Sequence, residues 1–185
     1  RFVQKTDKES ASLRDGTVDL ETGVVGATTS PEVRVQALFR DHFIGVVRPG
    51  HPLTKGEVTP VRFAAGRHVA VSRQGFGKGH IDDALAPFGL ERNIATVVGG
   101  FATALALARA SGLIASVPER HTAGLRDGLV SFALPFPGPQ VTVSMLWHPR
   151  MDGDLAHRWL RGLVRDSCAP DLSSSPRPST QGRVP

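Results

Sequence analysis

Gly75-Phe76-Gly77-Lys78-Gly79 is the stretch most suggestive of chemistry, since a glycine-rich turn ending on lysine can cradle phosphate through its backbone N–H groups. Its spacing defeats that reading. The phosphate loop requires glycine where Ser72 stands and Ser or Thr where Gly79 stands, and the third glycine of the dinucleotide fingerprint falls on His80. Neither G-x-S-x-G nor H-E-x-x-H occurs. None of the seven histidines lies four residues from another, and no Cys/His group has zinc-site spacing. His51, in a proline loop, and His148, at a strand end, read as surface or capping residues, and Cys168 as an incidental thiol at a helix end. No catalytic residue, metal ligand or cofactor site is expected.

The remaining polar positions suit ligand capture. Ser72-Arg73 follows a strand and precedes a helix, and Gly99-Gly100 does the same before Phe101. Ligands of open α/β sheets bind beyond the carboxyl ends of strands, where helix N-termini offer free N–H groups to anions. Arg73 could grip a carboxylate with two parallel bonds. Read plainly, Arg73 is a surface loop residue and the glycines form turns; the residues alone leave both readings open. Thr6 is a helix cap whose hydroxyl could also face a ligand.

These positions need a scaffold. Arg1–Gln4 reads as a strand and Thr6-Asp7-Lys8-Glu9 as a capping box. A helix then runs to Arg14, a turn follows at Asp15-Gly16, and 18–25 reads as a buried parallel strand. Strands follow at 33–39 and 43–47, separated by Arg40-Asp41-His42, and then at 68–72, 94–98, 113–117, 129–134 and 141–147. Helices are expected at 80–87 and 101–110, the second apolar nearly all round and therefore buried, with one helical turn at 118–123. A last helix over 152–168 carries an apolar stripe of Leu155, Trp159 and Leu163 beside Ala156, Leu160 and Val164. Its acids Asp152 and Asp154 come early and its arginines late, which suits the helix dipole. From Ala169 a Ser/Pro/Arg-rich tail has nothing to bury and is expected to be disordered. Alternating strands and helices argue for an α/β fold with a largely parallel sheet.

Composition sets the outer limits. The 185 residues fit one medium domain or two small lobes, long enough for a substantial core without disulfides or metals. A hydrophobic content of 40% and a charged content of 21% are ordinary globular values. No apolar run is long enough for a membrane span, and no signal peptide opens the chain. The net charge of +5 is spread along the sequence, whereas a nucleic-acid reader clusters its basic residues.

Several segments together resemble LysR-type transcriptional regulators. Leu13-Arg14-Asp15-Gly16-Thr17-Val18-Asp19-Leu20, followed by Gly23, is similar to the family's "LxxGxxDLxIG"; His51-Pro52-Leu53 matches its "HPL". Phe88-Gly89-Leu90 and the run from Ala108 to Pro118 are similar to "xxGxxP" and "VAAGxGIxxLP", and Trp147 matches the late strand. The likeness spans about Phe2 to Val164. Each motif alone is weak, but four in order at the right distances are specific.

The resemblance implies an effector-binding domain with the type 2 periplasmic-binding-protein fold, two α/β subdomains joined by crossover strands around a cleft. Residues 1–22 and 142–168 would form the first subdomain, and 23–141 the crossover strands and the second. Carried over position by position, Thr6 falls at an effector-contacting helix N-terminus and Glu21-Thr22 near the first crossover. Ser72, Arg73, Gln74 and Phe76 fall on the second subdomain's side of the cleft, and Gly100-Phe101 opens the helix facing it. The expected ligand is a small-molecule effector such as an organic acid, though Glu21, if it faces the cleft, disfavours a simple anion.

The expected partners are copies of the chain in a cytoplasmic homodimer or homotetramer. The winged helix-turn-helix and the family's first strand and helix are not in the sequence, so operator binding is expected only through an N-terminal part outside it. The first subdomain is expected to lack one strand or to borrow it. Other readings are a free-standing solute-binding protein, against which the missing export signal argues, and a small enzyme with Glu21 as its base.

Overall fold

A computed structural model describes residues 1–3, 11–26 and 29–169. The elements in chain order are α1 (Ala11–Asp15), β1 (Glu21–Val24), β2 (Arg34–Val47), α2 (Pro60–Ala64), β3 (Arg67–Val71), α3 (His80–Leu85), β4 (Asn93–Val98), α4 (Phe101–Ala110), β5 (Ile114–Pro118), β6 (Val130–Ala133), β7 (Gln140–Trp147) and α5 (Leu155–Ser167). The strands lie in the order β1-β7-β2-β5-β3-β4, and β6 also pairs with β2.

β2 is the member that joins the two halves of this ladder. Arg34–His42 runs antiparallel to β7, whereas Phe43–Val47 runs antiparallel to β5 and β6. Its composition follows the change in surroundings. Residues 34–40 are exposed or half-buried, while Ile44, Gly45, Val46 and Val47 are buried between neighbours on both sides. β5 is buried at all five positions. Gly45 is required by a close approach, because a Cβ there would stand 2.3 Å from the Phe132 ring.

Two cores flank β5. On one face Ile44, Val46, Val69, Ala115 and Val117 meet Ala104, Leu105 and Ala108 of α4. On the other, Val47, Leu53, Phe63, Ile81, Leu85, Ile114 and Phe136 pack together. Around β1 and β7 the buried cluster among the described residues is Leu13, Val33 and Leu146, backed by Val18.

The fold class agrees with the expectation, but several elements differ from their sequence reading. Arg1–Val3 carry no strand pairing; Gln4, Thr6, the capping box and the tail beyond Ala169 lie outside the described residues. The two strands expected at 33–39 and 43–47 are one, with a bulge between Ala37 and Phe39. The polar Arg40-Asp41-His42 triplet looked like a break because an isolated sequence cannot show its side chains being satisfied by another segment. The strand expected at 18–25 is shorter and antiparallel to β7, and among the described residues only β3 with β4 and β3 with β5 pair in parallel. The sheet is therefore mixed.

The helices differ as well. Helix α2 was not anticipated; Thr59 caps it by accepting from the Arg62 N–H at 3.3 Å, and Pro60 supplies a first position that needs no donor. Helix α4 is buried only along Ala104, Leu105 and Ala108, since one side faces the sheet and the other solvent. Helix α5 begins on Asp154, whose carboxylate accepts from the His157 N–H at 2.7 Å. Its inward residue is His157, with Nε2 2.9 Å from the Asp19 carbonyl, while Leu155, Trp159 and Leu163 point outward at 77%, 69% and 49% exposure. Asp152 lies outside the helix and instead accepts from the Trp147 indole N–H at 2.7 Å and from Arg34 at 3.2 Å.

Candidate functional site

Three parallel strands, β3, β4 and β5, end along one edge at Val71, Val98 and Pro118. The Ser72 N–H, one residue past β3, donates to the Val98 carbonyl at 2.9 Å, so the two exits are adjacent. Ser72 also organises the loop that follows. Its hydroxyl accepts from the Phe76 N–H at 3.0 Å and its carbonyl from the Gly75 N–H at 3.4 Å, a turn closed by the left-handed Gly75 at φ 78°. Phe76 is left 64% exposed at the tip.

Beside this loop, Gly99-Gly100 leads into α4. Gly100 is its N-cap and supplies no capping side chain, so the first turn's N–H groups face the edge at the positive end of a ten-residue helix. The sequence provides this by placing two glycines where a Ser or Asp would have filled the position. Phe101, the first helical residue, holds its ring between Phe43 and His121, with centroids at 6.1 and 6.0 Å and edge-on geometry. The edge thus combines a hydroxyl-stabilised loop, open backbone donors and an aromatic wall, which suits a small ligand with an acidic group and an apolar body.

A third loop completes the edge. Asp41 is buried at 4% exposure where β2 passes from β7 to β5. Its Oδ1 accepts from the N–H groups of His42 at 2.8 Å and Arg120 at 2.9 Å, and its Oδ2 from that of His121 at 2.9 Å. The Glu119 N–H donates to the His42 carbonyl at 2.9 Å, and the His42 Nε2 lies 3.2 Å from the Glu119 carboxylate. Sequence reasoning missed Asp41, Phe43 and His121. The available signal was an aspartate inside an otherwise apolar extended run, a position that requires several donors from elsewhere.

Of the positions expected to bind ligand, Ser72, Phe76, Gly100 and Phe101 come together at this edge. Arg73 and Gln74 lie in the same loop and are exposed. Glu21 and Thr22 are on β1, opposite Leu146 and Met145 of β7 and separated from β2 by that strand. Glu21 is buried at 8% exposure and Thr22 is exposed. Thr6 lies outside the described residues.

Other polar features account for themselves. His51 accepts from the Leu53 N–H at 3.2 Å and its Nε2 contacts the Gly112 carbonyl at 3.2 Å; burial pushes its pKa down. His148 accepts from the Arg150 N–H at 3.3 Å. Both therefore cap single turns. A cavity of about 490 Å3 lies elsewhere, between α3 and β4, and most of the charges lining it are paired with each other, Asp82 with Arg92 and Lys78 with Glu91. Among the described residues no group of His, Cys, Asp and Glu could hold a metal ion, and no helix is long and apolar enough to cross a membrane.

Comparison with known proteins gives a consistent picture. Residues 3–169 match the family model described as the LysR substrate binding domain. The HTH-type transcriptional activator NahR of Pseudomonas putida is 32% identical over 157 residues, covering 84% of this chain and 52% of that protein. The chain thus spans about half the length of that relative. The probable transcriptional regulator PA0477 of Pseudomonas aeruginosa superposes with a TM-score of 0.76 at 27% identity, over 89% of this chain and 56% of that one. The effector-binding domain of QuiR, solved with shikimate, shares the fold with a TM-score of 0.67 at 14% identity, over 85% of this chain and 75% of that one.

Proposed function

The chain belongs to the LysR substrate binding domain family, and from that premise we propose that it senses a small-molecule effector for a DNA-binding transcriptional regulator about twice its length. The observation that carries the reading is the strand-end edge, where the uncapped start of α4 at Gly100 lies beside the Ser72 loop and the Phe101 ring. A neighbour of the same fold is described with shikimate in its effector-binding domain, which supports a small polar organic acid as the class to try first.

In this reading the effector lies in a cleft between a first subdomain, residues 1–22 and 142–168, and a second made of 23–141 with the crossover strands. Ser72, Arg73, Gln74, Phe76, Gly100 and Phe101 bind from the second side, and Thr6, Glu21 and Thr22 from the first. Effector binding favours the closed arrangement, and that bias is the signal. The domain works without catalysis and without a cofactor. It acts in the bacterial cytoplasm as a homodimer or homotetramer, and operator DNA is gripped by the other half of the regulator.

Thermal-shift screening against aromatic and aliphatic acids, alcohols and amines tests this directly. A ligand that binds only the folded state at a hundred times its Kd adds about 2.7 kcal/mol, which a melting curve resolves. A hit whose contacts map to Ser72 and Gly100 by NMR supports the proposal. A hit that maps elsewhere, or a well-folded domain that answers to nothing in the panel, overturns it.

A further inference from the structure

The loop after β5 reaches both halves of the molecule at once. Its backbone is held to β2 by the Asp41 carboxylate, through the N–H groups of Arg120 and His121. Its outward side chain goes the other way. The Arg120 guanidinium lies 4.3 Å from the centroid of the Phe39 ring, on the part of β2 that pairs with β7, and Nη2 donates to the Cys168 carbonyl at the end of α5. Asp41 and His42 form the last pairs of β2 with β7, at Val141 and Gln140, and Phe43 forms the first with β5, at Pro118. One loop residue therefore ties the crossing point to the helix that caps the β1–β7 half.

We propose that Asp41 and Arg120 are positioning residues of the cleft, a latch that fixes the loop carrying His121 against Phe101 while setting how far the two halves swing about β2. A buried carboxylate with three N–H donors is a stiff anchor, because such charge-assisted bonds are stronger than neutral ones and leaving them unmade is costly. The cation over Phe39 and its bond to Cys168 are more exposed and so easier to break and remake. The loop is thus held firmly on β2 and adjustably on α5. This inference rests on the effector-cleft reading for its purpose, but its test uses no ligand and can fail independently of it.

The test is a distance measurement between spin labels on the two halves, at Arg158→Cys on α5 and Ala106→Cys on α4, in a Cys168→Ser background that keeps the carbonyl. The unmodified latch should give one narrow distribution. Arg120→Gln should broaden or shift it while the amides of Arg120 and His121 stay protected from hydrogen exchange. Asp41→Ala should broaden it and also speed exchange at those amides tenfold or more. A wild-type distribution as broad as the variants', or an unchanged one in Arg120→Gln, overturns the latch. Faster exchange in Asp41→Ala with unchanged distances reduces Asp41 to a local cap and overturns its positioning role. If Asp41→Ala fails to fold, Arg120→Gln alone decides.

Discussion

Arg92 closes on the Asp82 carboxylate with two bonds, Nε to Oδ1 at 3.0 Å and Nη2 to Oδ2 at 2.6 Å, at side-chain exposures of only 5% and 15%. Asp82 also accepts from the Gly79 N–H at 2.8 Å, closing the start of α3. The pair thus ties α3 to the entry of β4.

Burial by itself would push the Asp82 carboxyl up, but the Arg92 bonds and charge outweigh it and hold the group below its ordinary value. A carboxyl depressed on folding stabilises above its unfolded pKa and loses that contribution as pH falls through the folded value. Asp82→Asn should therefore cost about 3 kcal/mol near neutral pH, where it strands a buried guanidinium. The gap to wild type should narrow below about pH 4, as urea denaturation across pH would show. A gap that does not change with pH would contradict the assignment.

His68 should impose an acid limit of the same sign, over a higher pH range. Its ring is fully buried, Nε2 meets the Phe63 carbonyl at 2.8 Å, and Nδ1 has no partner among the described residues. Burial drives its pKa down to about 4. The unfolded chain binds the proton first, so this contribution is whole above about pH 6.5 and drains away between there and about pH 4, by about 3 kcal/mol. His68→Gln should flatten that stretch of the stability–pH curve. NMR titration should find the His68 ring still neutral at pH 5.

Gly45→Ala should destabilise the domain by about 2 kcal/mol, because the added methyl has no room beside Phe132 and overpacking forces side chains and backbone to shift. Gly77→Ala makes the control, since nothing lies within 4 Å of a Cβ there and its φ is not positive. Equal melting temperatures for the two variants would be the contrary result.

Ligand binding should separate from stability in the Ser72 loop. Ser72→Ala removes the acceptor for the Phe76 N–H and should cost about 1 kcal/mol of stability. Arg73→Ala should leave the free domain folded. Both should weaken a screening hit about tenfold by calorimetry, a loss of about 1.4 kcal/mol. Unchanged affinity in both would remove this loop from the site.

Much of the molecule was legible in the chain, for physical reasons that can be named. Short apolar runs flanked by turn residues marked β3, β4 and β5; β5, buried at every position, needs no partner information to look apolar, and β4 at the edge still keeps an apolar run. Gly99-Gly100 before Phe101 marked the start of α4. His51 and His148 were legible as caps, since their polar atoms answer to residues two positions away. The family's motifs could be read in order, and with them the effector-binding class of the domain.

What the chain concealed depends on contacts distant in sequence. Asp41 looked like a break in a strand until Arg120 and His121, 79 and 80 residues on, supplied its donors. Strand direction was misjudged because a stretch with few charges marks a strand without showing which way its neighbour runs, and β1 pairs antiparallel with β7. Periodicity likewise marked the apolar stripe of α5 but not which way it turns: Leu155, Trp159 and Leu163 face outward, and packing turned His157 inward to meet Asp19. Local pattern, capping and turn chemistry were determined by the sequence itself, through interactions spanning a few residues. Which faces are buried, where the halves join and which residues share the ligand edge were decided only when remote segments satisfied one another's hydrogen bonds and volumes.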